Sequence, residues 1–240
     1  MVSNASDADR QREYYAATAG QYNDWHMNAQ SKDEHAFTLS FMASILDYYG
    51  IRSVLDVGAG TGRTIQFLRN ARPDIPVLGI EPVAALRDIG YGSGLSREVL
   101  VEGDALQLPF GDRAFDLVCE FGVLHHIKTP EVAVAEMLRV AKTAIFISDS
   151  NNFGQGSVLV RTLKQLINAV GLWRAADLVR TRGKGYTISE GDGLAYSYSV
   201  FNNYKQIQQR CSMVHVLNSA GPGINPYRSA SHVALLGVKK

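Results

Sequence analysis

Cysteine is scarce in this chain. Two occur in 240 residues, Cys119 and Cys211, which is too few for a disulfide framework and not at zinc-binding spacing. A reducing, cytoplasmic setting is therefore expected. No apolar run approaches the roughly 20 residues of a membrane span, and residues 1–12 are polar with no core of signal-peptide length, so a soluble protein is expected. Excess charge of either sign is also missing. With 24 basic and 23 acidic residues the net charge is +1, which argues against general nucleic-acid binding, usually seen as a strongly basic face. There is no internal repeat and no low-complexity tract. At this length one core buries roughly 70–75% of the unfolded surface, so a single α/β domain with a small cap suffices.

The most informative stretch runs Val54-Leu55-Asp56-Val57-Gly58-Ala59-Gly60-Thr61-Gly62-Arg63. A short apolar run is followed by alternating glycines and then by Thr64, Ile65, Phe67 and Leu68 at helical spacing, which reads as strand, tight turn, helix. Such a turn puts backbone N–H groups at a helix N-terminus, where no Cβ blocks a ligand's polar groups. The third glycine of a dinucleotide fingerprint is missing: position 63 is Arg, and the glycine sits one residue early at Gly62. Glu81 closes the next apolar run, Val77-Leu78-Gly79-Ile80, at the place where a carboxylate accepts both ribose hydroxyls of an adenosine.

Further motifs follow in order. They are Ile80-Glu81-Pro82, then Gly103-Asp104-Ala105-Leu106-Gln107-Leu108-Pro109-Phe110, then Phe115-Asp116-Leu117-Val118-Cys119-Glu120-Phe121-Gly122-Val123-Leu124-His125-His126. With the glycine turn, these resemble the four successive motifs of the class I S-adenosylmethionine-dependent methyltransferases. The resemblance covers roughly residues 10 to 150. It implies S-adenosylmethionine as cofactor, with Gly58, Gly60 and Gly62 around its amino-acid part. It implies Glu81 at the ribose, Asp104 and Ala105 at the adenine, and Glu120 and Phe121 on the methionine side, with Asp56, Ala59, Thr61 and Pro82 also among the cofactor-binding residues. Tyr14 and Tyr22, in an aromatic segment with Tyr15 and Trp25 that reads as a lid or a surface anchor, are counted among the cofactor-binding residues.

The remaining pattern alternates strands (52–57, 76–81, 98–102, 115–120, 143–149) with helices (62–71, 83–90, 129–141), the signature of a parallel sheet covered on both faces. Ser31 and Glu34 have capping-box spacing ahead of a helix over 32–49. A long helical pattern over 157–180 is interrupted at Gly171, and residues 181–200 read as an aperiodic loop. A helix at 201–211 and strands at 212–219 and 231–239 close the chain as a hairpin. The expected fold is α/β: a Rossmann-like, doubly wound, mostly parallel seven-stranded sheet with an antiparallel terminal hairpin and a small helical cap. The expected organisation is a tail and lid segment (1–31), a cofactor-binding core (32–150), an acceptor-recognition cap (151–200), and a helix and hairpin completing the core (201–240).

Methyl transfer depends chiefly on positioning, worth roughly 7–11 kcal/mol, while a general base adds about 10²- to 10⁴-fold. His125 and His126 follow the fourth strand and Asp149 ends the fifth, so these three are the catalytic candidates, beside a structural or cofactor-shaping role for the histidine pair. His26 is a weaker third histidine. No metal is expected: adjacent residues diverge, and no third ligand stands at metal spacing. Residues 153–187 carry Arg161, Lys164, Arg174, Arg180, Arg182 and Lys184 against Asp177 alone, on an amphipathic pattern that suits a cap, a lipid contact or a solvated face. The expected reaction is methylation of a small-molecule acceptor, with an anionic or lipid-linked one among the candidates, at oxygen first and at nitrogen or a carboxyl next. A nicotinamide-dependent oxidoreductase and a non-catalytic cofactor-binding module are the contrasting readings. No Asn-Pro-Pro-Tyr follows the fourth strand, which disfavours base or glutamine N-methylation by that route.

Overall fold

Val54–Val57 (β1) is buried along its whole length, because it lies mid-sheet between two parallel neighbours and has helices on both faces. The computed structural model describes residues 6–26 and 34–240. In chain order, Asp7–His26 (α1) and Glu34–Ile45 (α2) precede β1. Arg63–Ala71 (α3), Val77–Ile80 (β2), Ala84–Gly92 (α4), Leu100–Val101 (β3), Phe115–Phe121 (β4), Pro130–Val140 (α5) and Ala141–Ser150 (β5) then alternate. The cap holds Val158–Ala169 (α6), Trp173–Arg180 (α7), Tyr186–Ser189 (β6) and Gly193–Tyr196 (β7). Tyr204–Arg210 (α8), Cys211–Ala220 (β8), Pro226–Ser229 (α9) and His232–Lys239 (β9) complete the chain.

The main sheet has the order β3-β2-β1-β4-β5-β9-β8. β9 runs antiparallel between β5 and β8, with Ile147 opposite Leu235 on one side and Leu235 opposite Val216 on the other. This is the expected Rossmann-like sheet with its terminal hairpin. One apolar layer packs Leu55, Val118 and Ile147 with α5 and α8, and the other packs Val54, Cys119 and Phe146 with α2 and α3. Register matters because the strands of the parallel core end together. Glu81, Phe121 and Ser150 therefore come out along one edge of the sheet, the crevice side where ligands bind in open α/β folds.

Local sequence accounts for most boundaries. Thr129 and Pro130 open α5, whose last residue, Val140, is followed directly by β5 with no turn between them. Gly171, at φ +77°, separates α6 from α7.

Two expectations are corrected. Residues 7–12 are the first turns of α1 rather than a polar tail, held by Gln11 and Arg12 to the cap and to Asp104. Residues 181–200 contain the separate β6–β7 hairpin, with Tyr186 opposite Tyr196. Its strands are only four residues long, too short for a period-2 signal to stand out. The Ser31–Glu34 capping box and the side chains of Trp25 and His26 lie outside the described residues.

Candidate active site

The glycine turn is tied to the second strand. Gly58 and Ala59 donate to the Ile80 carbonyl at 2.9 and 2.8 Å. Gly60 donates to Glu81 Oε2 at 3.0 Å, while Val83 donates to Glu81 Oε1 at 2.9 Å. Burial pushes the Glu81 carboxyl up to about 7, against the two backbone donors that favour its ionised form. Asp56, beneath the turn, is likewise pushed up to about 7 by burial, opposed by hydrogen bonds from Thr64 and Cys119. Gly58 requires its left-handed φ of +73°, and a Cβ there would come 2.5 Å from the Val123 side chain.

Two adjoining cavities open at this edge. One, of about 460 Å³, is lined by Glu81, Pro82, Asp104, Ala105, Gly58 and Val123, with Gln11, Arg12, Tyr15 and Tyr22 of α1 across it. The other, of about 500 Å³, is lined by Asp56, Ala59, Thr61, Arg63, His125, Asn152, Arg180, Asp192 and His232 among others. Tyr15, Tyr22, Gly58, Phe121 and His126 border both, so they mark the junction.

Several site residues have other primary partners. Asp104 Oδ2 accepts from Arg12 Nη2 at 2.7 Å and its Oδ1 accepts from the Leu106 N–H at 2.9 Å. Tyr14 lines neither cavity; its hydroxyl accepts from the Gly191 N–H at 2.8 Å. Glu120 is fully buried and also lines neither. Its Oε2 accepts from the Val123 N–H, and burial together with the Asp149 charge drives its pKa well above the usual carboxylate range. Gly60 and Gly62 line neither cavity; a Cβ on the first would meet Tyr22 and one on the second Leu95.

The histidine pair sits on a 3-10 turn, Leu124–His126, that follows β4. Asp149 holds this turn: its Oδ2 accepts from the Leu124 N–H at 2.7 Å, and its Oδ1 stands 2.6 Å from His125 Nδ1. His125 Nε2 lies 3.2 Å from Asp192 Oδ1. Burial disfavours the charged ring, but Asp149 and then Asp192 outweigh it and hold the His125 pKa well above 6.5. The charge on His125 in turn keeps the Asp149 carboxyl low. His126 shows the opposite outcome: burial, then the neighbouring His125 charge, lower it to about 4. Its Nδ1 is 2.7 Å from the Leu194 carbonyl and 3.1 Å from the Gln11 amide Nε2, and its Nε2 faces the Tyr15 hydroxyl at 2.9 Å.

The expectation that adjacent histidines diverge is corrected. The two rings are 3.9 Å apart between centroids, and both reach Asp192, the three ligand atoms lying within 4.8 Å of one another. Such a set can hold a divalent ion. Hydrogen bonds with Asp149, Asp192, Leu194 and Tyr15 already engage all four ring nitrogens.

The methyltransferase-domain family matches residues 55–146, the span from the glycine turn to β5. Those residues are a class I, S-adenosylmethionine-dependent methyltransferase domain. Ajmaline N-methyltransferase of Rauvolfia serpentina is 36% identical over 101 residues, which cover 40% of this chain and 34% of that protein. Demethylmenaquinone methyltransferase of Roseiflexus sp. (strain RS-1) is 33% identical over 95 residues, covering 39% and 40%. The matched part thus spans between a third and two-fifths of these relatives' lengths. In fold, the chain is similar to magnesium protoporphyrin IX methyltransferase from Synechocystis PCC 6803 solved with bound S-adenosylhomocysteine: TM-score 0.61, 16% identity, 98% of this chain and 100% of that one. It is also similar to the plantazolicin methyltransferase solved with a triazolic substrate analogue and S-adenosylhomocysteine: TM-score 0.60, 14% identity, 97% and 96%.

The methyltransferase domain takes S-adenosylmethionine, and the residues present suit that group. The Glu81 carboxylate, which only accepts when ionised, lines one cavity beside Gly58, where a Cβ would collide with the cavity wall.

The sequence reading missed Tyr15 as a site residue, along with Asp192, His35 and His232. Tyr15 was visible only as one of several aromatics. Asp192 had no signal, since the β6–β7 turn carries it in from 66 positions beyond His126.

Proposed function

We propose that this chain transfers a methyl group to the hydroxyl oxygen of a small, polar acceptor bound in the 500 Å³ cavity. The observation that carries this reading is the aspartate-backed histidine: His125 has Nδ1 tied to Asp149 and Nε2 turned to the cavity that holds Asp192. That pairing sets the tautomer and orientation needed to take a hydroxyl proton. In this reading Glu81 holds the ribose and the Gly58–Gly62 turn the amino-acid part of the cofactor. When bound, S-adenosylmethionine supplies a methyl carbon made electrophilic by its sulfonium. His125 Nε2 takes the acceptor's proton, and Asp149 and Asp192 stabilise the resulting imidazolium. His126 stays neutral and, with Tyr15, walls the junction between the cavities. The cap, residues 151–200, recognises the acceptor. Of the cations expected there, Arg180 lines the cavity, so it is the group to meet an anionic substituent, while Arg182 and Lys184 do not line it.

Calorimetry with S-adenosylhomocysteine and NAD, followed by turnover on a panel of alcohols, amines and carboxylic acids read by mass spectrometry, tests this. Binding of the first compound alone and a mass gain on alcohols is the expected result. Methylation confined to amines would remove the oxygen assignment, and turnover on none would leave a binding module. Arg180→Gln is expected to raise KM for an anionic acceptor, and unchanged kinetics would remove that role.

A further inference from the structure

α6 is turned inside out. An amphipathic helix on a globular domain ordinarily buries its apolar stripe. Here Arg161, Lys164, Gln165 and Asn168, at i, i+3, i+4 and i+7, face the body of the protein. Arg161 donates to the Ser229 carbonyl, Lys164 to the Asn152 carbonyl, Gln165 to the carbonyls of Phe153 and Arg228 at 2.9 and 3.1 Å, and Asn168 to the Tyr227 hydroxyl at 3.0 Å. The opposite stripe is wholly apolar and faces water: Leu159 is 79% exposed, Leu163 56%, Leu166 61% and Val170 68%. No residue of α6 is buried. α7 repeats the arrangement. Its Asp177 is buried and bonded to Arg180 and Ser197, its Trp173 packs on Phe153, and Val179 is left 81% exposed.

We propose that α6 and α7 form a docking face for an anionic membrane surface. A contiguous exposed apolar stripe of this length marks an interaction site, since single exposed apolar residues are ordinary but aligned ones are not. Charge selects the partner. Arg174, Arg182 and Lys184 are exposed on α7 and the turn after it, none of them in an ion pair among the described residues. The one acid of the segment, Asp177, is turned inward. In a two-fold pairing with a second copy the same cations would face one another, which is unfavourable. Anionic headgroups complement them, with the leucines entering the boundary between headgroups and acyl chains. Docking does not depend on methyl transfer. Only the consequence that Arg180, on α7 and in the acceptor cavity, would meet an acceptor delivered from the membrane rests on the reading above.

Vesicle co-sedimentation of the full chain tests the proposal, using phosphatidylcholine alone and an equimolar mixture of phosphatidylcholine and phosphatidylglycerol. Binding to the mixture only is expected. Leu163→Ser with Leu166→Ser should weaken it about tenfold or more, and Arg174→Gln, Arg182→Gln and Lys184→Gln about fivefold each. The side chains are exposed, so thermal midpoint and S-adenosylhomocysteine binding should be unchanged; the latter, measured on the same samples, separates failure of docking from failure of the methyltransferase reading. The proposal is overturned by no binding to either vesicle or by binding that survives the leucine changes. It is also overturned by a concentration-dependent dimer that the leucine changes abolish, which would give the face to a second copy.

Discussion

Asp149 holds His125 at two levels: one carboxylate oxygen is 2.6 Å from the ring Nδ1, and the other accepts the N–H of Leu124 at 2.7 Å, fixing the turn on which the ring is mounted. Asn at position 149 keeps the size but offers the ring an N–H or a neutral oxygen, so the tautomer with Nε2 free for the proton loses its support. Asp149→Asn is expected to lower kcat by about 10²- to 10⁴-fold with S-adenosylhomocysteine affinity little changed. Steady-state kinetics beside calorimetry check this, and equal losses in both would point to a merely structural role.

The same pair sets a pH dependence. Only unprotonated His125 accepts a proton, and its pKa lies well above 6.5 because Asp149 and Asp192 favour the imidazolium. Activity should therefore rise with pH through that raised value and fall below it. His126, lowered to about 4, stays neutral across the neutral range and adds no limb there. Asp192→Asn removes one of the two carboxylates and should move the rising limb to lower pH. A pH–rate profile that stays flat from neutral to alkaline pH would sink the assignment of His125 as the base.

Glu81 joins the 460 Å³ cavity to the glycine turn through its bonds from Gly60 and Val83. Glu81→Ala removes both the expected ribose acceptor and the tie that shapes the turn. Charged hydrogen bonds of this kind are worth about 1.5–3 kcal/mol each, so S-adenosylhomocysteine should bind about 10- to 100-fold more weakly or worse. Retained affinity in calorimetry would contradict the placement of the cofactor.

Glu120 lies under the site without reaching either cavity, and burial keeps its proton on well above the ordinary carboxylate range. The unfolded chain ionises this group near about 4.3. The unfolded state thus holds fewer protons than the folded one above that pH, and stability is lost as pH rises toward the folded pKa. Glu120→Gln, already neutral, removes this loss. Thermal melts at about pH 5 and about pH 8 should show a smaller drop in the variant than in the parent chain; an equal or larger drop would mean that Glu120 is ionised in the fold.

Gly60 stands at φ +56°, and a Cβ there would come 2.7 Å from the Tyr22 hydroxyl of α1. Gly60→Ala is expected to displace α1 from the cleft, and Tyr22→Ala should partly relieve the clash. The couple is read as S-adenosylhomocysteine affinity and as amide exchange across α1. If the two changes are simply additive, α1 does not rest on the glycine turn.

The part of the site around the glycine turn was legible because its signals are local. A glycine turn, a carboxylate closing the next strand and the strand–helix alternation each occupy a few consecutive residues, and the parallel sheet aligns their ends. The part around the histidine pair was not. Tyr15 meets His126 from 111 positions upstream, and Asp192 reaches His125 from a turn 67 positions downstream. Neither approach leaves a mark in spacing or composition, because each depends on where α1 and the β6–β7 hairpin lie on the finished sheet.

By itself, the sequence determined the order of strands and helices, the turn that needs glycines, and the two-faced character of residues 157–180. Tertiary structure alone decided which face of α6 looks outward. Periodicity records that polar and apolar residues take opposite sides of a helix but is blind to which side meets the protein. The carbonyls of Asn152, Phe153, Arg228 and Ser229 lie where the polar stripe of α6 can donate to them, and those bonds hold that side of the helix against the protein.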